Sequence, residues 1–68
     1  MIEKIEKALF ETRPYIEYYE KLEKKIRELS SITQDEESFV NLLEREIQST
    51  EEPFKTDLKI FLQKFTSI

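Results

Sequence analysis

Tyr15, Tyr19, Leu22, Ile26 and Leu29 are spaced four, three, four and three residues apart. At about 100° per residue these side chains fall within about 80° of arc, one stripe on a helix. The opposite face of the same stretch is charged. Glu17, Glu20 and Glu23 each precede a basic residue by four: Lys21, Lys24 and Arg27. That order of charge supports a helix by about 0.2–0.5 kcal/mol per pair. Pro14 suits a first helical turn, where its missing N–H has no partner to lose. The pattern predicts a helix over residues 14–30 as the element the others pack against.

The same period recurs on both sides of it. Ile2, Ile5 and Leu9 predict a helix over residues 2–12. On a continuous wheel their stripe lies about 115° from that of residues 15–29. An unbroken rod would aim the two stripes at different neighbours, and a proline inside a helix costs about 3 kcal/mol. A break or sharp kink near Thr12–Arg13 follows, with Thr12 as the cap of the new helix. Phe39, Val40, Leu43 and Ile47 mark a third helix, over residues 34–48. Thr33 and Glu36 stand at the spacing of a capping box, and Asp35, Glu36 and Glu37 suit the positive end of its dipole. Ser49 and Glu52 repeat that spacing ahead of Pro53 and a fourth helix over residues 52–66. Phe54, Leu58, Phe61 and Phe65 form its stripe, and Ile60 lies off it.

The chain has 68 residues and no glycine, so it is short and poor in tight turns of positive φ. No stretch alternates with period two. The expected fold is a single all-α domain, a small antiparallel helical bundle of three to four helices, the first element kinked or broken at Pro14. A core of this size is near the lower limit for a chain folding alone, and no cysteine staples it.

Histidine and cysteine are both absent. The usual general base near neutral pH, the thiolate nucleophile and the soft metal ligands go with them. Without glycine there is no phosphate-cradling loop and no nucleophile elbow. These absences predict a non-enzymatic protein with no cofactor and no metal site. Glu17, Glu20 and Glu23 lie three apart, as metal-binding helices sometimes place carboxylates, but each has a basic neighbour and reads as solvated face.

Charge is unevenly spread. Residues 1–31 hold seven basic and seven acidic side chains; residues 32–53 hold one basic and seven acidic, a net of −6. This acidic surface comprises Asp35, Glu36, Glu37, Glu44, Glu46, Glu51 and Glu52. It disfavours nucleic acid as a partner and favours a basic protein. Phe10, Tyr15, Tyr18 and Ile60 are the candidate partner contacts. Aromatic side chains at a partly exposed edge bury much area at low entropic cost. Tyr15 and Tyr19 also fit the core stripe, which is the plainer expectation for both. No apolar run approaches the ~20 residues of a membrane span, so the expected compartment is the cytoplasm.

Three functions remain. The first is a protein–protein interaction module, an adaptor, accessory subunit or regulator binding another protein or a second copy of itself. The second is an acidic inhibitor or nucleic-acid mimic occupying a basic site. The third is a helical DNA-binding regulator, for which only the mildly basic last helix would serve.

Overall fold

The computed structural model describes residues 1–68. The chain is all-helical: α1 spans Ile2–Thr12, α2 Tyr19–Ser31, α3 Glu36–Ser49 and α4 Phe54–Ser67. No strand forms, and the molecule measures 28 × 24 × 20 Å. No helix is long and apolar enough to cross a membrane.

Each helix turns its three-and-four stripe inward. The core joins Ile5, Ala8 and Leu9 of α1, Leu22, Ile26 and Leu29 of α2, Phe39, Leu43 and Ile47 of α3, and Phe54, Leu58, Phe61 and Phe65 of α4. Three phenylalanines meet at its centre. The Phe39 ring stands edge-on to Phe61 and Phe65, with centroids 6.4 and 5.2 Å away, and Phe61 stacks on Phe65 at 5.8 Å. Pairs in these geometries add about 0.5–1.5 kcal/mol each beyond the area they bury.

Consecutive helices run antiparallel, as contacts between them show. Arg27 of α2 reaches Glu6 of α1, Lys25 of α2 reaches Glu46 of α3, and Phe39 near the start of α3 meets Phe65 near the end of α4. α1 meets α4 differently. Lys4 stands over the Phe65 ring at 4.7 Å, yet Glu11, two turns further along α1, pairs with the adjacent Lys64 at 3.3 Å. α1 therefore packs along much of its length on the C-terminal end of α4.

No residue has positive φ, which is how the chain manages without glycine. Threonine hydroxyls mark the helix ends instead. Thr12 donates to the Ala8 carbonyl at 2.7 Å, Thr33 to Leu29 at 3.0 Å and Thr50 to Glu46 at 2.6 Å. Such bonds satisfy carbonyls that lack a partner at the last turn. The Glu52–Pro53 peptide is cis.

Several sequence expectations need correction. The second helix begins at Tyr19, not Pro14. Pro14 sits in a single 3-10 turn, Arg13–Tyr15, and the chain is extended at Ile16 (φ −100°, ψ 131°) before α2 starts. The break foreseen near Thr12–Arg13 is present, but Thr12 closes α1 and is buried there; it does not cap α2. Tyr15, placed on the core stripe, is 73% exposed. Ile16 packs against the core in its stead, because the extended segment reverses which side chain faces inward. Ile2, on the first turn, is also exposed. Two of the expected surface pairs, Glu17–Lys21 and Glu20–Lys24, do not form; Glu23–Arg27 does, at 3.0 Å.

The caps moved too. Asp35, not Thr33, caps α3: its carboxylate accepts the Ser38 N–H at 2.7 Å. Aspartate in extended backbone three residues ahead of that N–H is a better cap than a threonine already bonded back to Leu29. Ser49 ends α3, and Glu52 accepts from the Thr56 N–H and hydroxyl at 2.9 and 2.6 Å, serving the first turn of α4.

Candidate functional site

Residues 13–18, Arg-Pro-Tyr-Ile-Glu-Tyr, form a strap between α1 and α2. Nothing in their own sequence holds an extended segment there. Asp57 does, from the first turn of α4. Its carboxylate accepts the Glu17 N–H at 3.2 Å and the Tyr18 N–H at 2.9 Å. Asp57 is 3% exposed and makes no ion pair, so these backbone donors are what satisfy it in the interior. The bond also fixes where α2 starts, since Tyr18 is its N-cap residue. At the strap's other end the Arg13 guanidinium lies over the Tyr19 ring at 4.8 Å.

The strap carries two of the candidate contacts and places them in different clefts. Tyr15 and Ile60 line one, a hollow of about 240 Å³ between the end of α1 and α4, rimmed by the Glu11–Lys64 ion pair. Tyr18 lines a second, of about 430 Å³, with Lys21, Pro53, Phe54, Glu51 and Glu52. A shallower third, of about 360 Å³, adjoins it through Tyr18 and Lys21 and adds Glu17 and Glu20. Phe10 joins none of them. It is 76% exposed, about 150° around α1 from the buried stripe. The four candidate contacts are thus three separate places on the surface. Tyr15 and Ile60 meet, and Tyr18 and Phe10 do not join them.

The seven acidic residues do not form one face either. Glu36 pairs with Lys4 at 2.9 Å and Glu46 with Lys25 at 3.5 Å, stitching α3 to α1 and α2. Asp35 and Glu52 serve helix ends. Glu37 and Glu44 stand exposed on α3, and Glu51 is exposed in the turn before α4.

Two of these carboxylates are shifted. Hydrogen bonds from Ser38 hold Asp35 below its ordinary value of 3.8, and the Thr56 hydroxyl and N–H hold Glu52 below 4.5. A lowered folded pKa contributes stability that is fully present above the unfolded value and is lost as pH falls through the folded one. Acid should therefore weaken α3 and α4 at their N-terminal ends below about pH 4. Thermal melts from pH 7 to pH 2 check this. Asp35→Asn keeps a good cap and should flatten part of that fall, whereas Asp35→Ala should lower the melting temperature by a few degrees at pH 7.

Asp57, which holds the strap in place, is the residue that sequence reasoning missed. In the sequence it is one more acidic side chain in a helix's first turn. Its wheel position was informative, since it sits three residues after Phe54 and four before Phe61, at the border of the apolar stripe. Ile16 was missed for the reason already given, the assumption of a helix through the strap. No group of three or more Asp or Glu side chains converges to hold a metal ion.

The sequence model of the MJ1579 family matches residues 2–68, and the chain belongs to that family. No curated protein matches it.

Proposed function

We propose that this member of the MJ1579 family is a non-enzymatic protein-interaction module of the cytoplasm, an adaptor, accessory subunit or regulator. One observation carries the reading. Four phenylalanines, Phe39, Phe54, Phe61 and Phe65, fill the core, while Phe10, Tyr15 and Tyr18 stand 76%, 73% and 43% exposed. None of these three belongs to the core or to the side chains packed against it. Aromatic side chains of this kind recur as anchors in protein interfaces. Their distribution over separate places suits a partner that wraps the molecule, or more than one partner.

The acidic-mimic reading has less support. It needs a continuous negative face, and Glu36 and Glu46 are already neutralised by Lys4 and Lys25.

Sedimentation of the purified chain, joined to affinity capture from its native host, tests the proposal. The expected result is self-association or a specific captured protein. The double variant Phe10→Ala, Tyr15→Ala should keep its helical spectrum and bind at least about tenfold more weakly. A monomer that captures nothing, or a double variant that binds as well as the parent, would overturn the reading.

A further inference from the structure

We propose that the cleft beside Tyr18 receives an arginine-bearing basic segment of another protein, the guanidinium lying between the Tyr18 ring and the carboxylates of Glu51 and Glu52. The inference deepens the interaction-module reading, on which it rests, by naming the kind of partner.

Concavity is the first ground. At about 430 Å³ the cleft is within the size of ordinary ligand clefts, about 300–1,000 Å³, and it is walled by Tyr18, Pro53 and Phe54. Tyr18 is not loosely placed, because its N–H is tied to buried Asp57 at 2.9 Å.

Charge is the second. Six carboxylates elsewhere on the molecule, those of Glu6, Glu11, Glu23, Glu28, Glu36 and Glu46, are engaged in ion pairs. The four around this cleft and its shallow neighbour, Glu17, Glu20, Glu51 and Glu52, make none; Glu3, Glu37 and Glu44 are also unpaired but line no cleft. Hydrogen bonds from Thr56 favour the ionised form of Glu52 and hold it below its ordinary value.

A third ground comes from the chain's own cation. Lys21, the single basic residue in the cleft, does not pair with any of those carboxylates. Its ammonium lies over the face of Phe54 at 4.4 Å from the ring centroid. The cleft thus already seats a side-chain cation on an aromatic ring and leaves Glu51 and the second oxygen of Glu52 without a partner, the first oxygen of Glu52 being held by Thr56. Arginine fits the remaining arrangement better than lysine. Its planar guanidinium stacks on an aromatic face and presents paired N–H groups to a carboxylate, where an ammonium is only a point charge. A second copy of this chain, of net charge −4, is a poor supplier of that segment.

The test titrates the full chain with a short synthetic peptide of alternating arginine and alanine, and with its lysine counterpart, at low salt. Backbone amide shifts locate the site. Shifts should cluster at Tyr18, Lys21 and Glu51, and the lysine peptide should bind several-fold more weakly. Tyr18→Ala should weaken the arginine peptide about fivefold or more. Glu51→Lys should do the same without touching the Asp57 bond, and it keeps the test open should Tyr18→Ala fold poorly. Affinity should drop steeply as salt rises. Shifts centred on Glu37 and Glu44, equal binding of the two peptides, unchanged affinity in both variants, no binding at millimolar peptide, or amide shifts on dilution of the chain alone (a second copy as occupant) would each overturn the proposal. If the cleft fails while the Phe10, Tyr15 double variant still loses its partner, the module reading stands without it.

Discussion

Phe39→Ala should lower the stability of the protein by about 3–5 kcal/mol. Phe39 is fully buried and is the ring that both Phe61 and Phe65 meet edge-on. Truncating a core phenylalanine costs about 3–5 kcal/mol, the lost transfer energy plus the cavity left behind. Small domains are stable by roughly 0.05–0.15 kcal/mol per residue, so a chain this short has about 3–10 kcal/mol to lose. The substitution removes a third of that or all of it. Its neighbours have little freedom to fill the hole, because Phe61 and Phe65 are already stacked on each other.

Phe10→Ala is the matched control. It deletes the same atoms from a side chain that is 76% exposed and is not among those packed against the core. Its effect on stability should lie within about 0.5 kcal/mol. Urea melts followed by circular dichroism compare the two. Similar losses in both variants would mean that the two rings do not occupy the environments described.

That contrast shows what was legible in the sequence. Helical period places Phe39, Phe54, Leu58, Phe61 and Phe65 inward from spacing alone, since a side chain four residues on returns to the same face. Period also sets Ile60 and Phe10 outside their stripes. It fails where a helix is assumed to continue. Tyr15 has the right spacing to Tyr19 and Leu22, but spacing counts only if the backbone between is helical. The competing force is a carboxylate about 40 residues away, which takes the N–H groups of Glu17 and Tyr18 and draws the strap out of the helix. No local pattern records a contact of that range. The caps were misplaced on a smaller scale for a similar reason. Thr33 and Ser49 have the cap chemistry, yet each hydroxyl is spent on the helix that precedes it. The candidate site was legible in its parts only. Tyr18, Glu51 and Glu52 were all singled out, one as an aromatic contact and two as acidic surface, but their convergence depends on the strap and on the turn before α4.

Asp57→Ala should destabilise the protein by about 2–3 kcal/mol. The carboxylate is buried and its two bonds are to backbone N–H groups, with charge on one partner. Removing it strands two donors beneath the strap and leaves the start of α2 without its anchor, while the rest of the core stays as it is. For a domain of this size that loss lowers the melting temperature by roughly 10–20 °C. Asp57→Asn, which keeps the shape and one accepting oxygen, should fall between the alanine variant and the parent. The loss should also be local before it is global. Amide exchange at Glu17 and Tyr18 should speed up far more than at Leu43 or Phe61, because the strap opens first and the helices behind it remain packed. Tyr18 would then no longer be fixed beside Glu51 and Glu52, and the arginine peptide should bind Asp57→Asn more weakly even at temperatures where that variant is fully folded. An Asp57→Ala protein as stable as the parent, with slow exchange at Tyr18, would mean that the strap is held by something other than the α4 carboxylate.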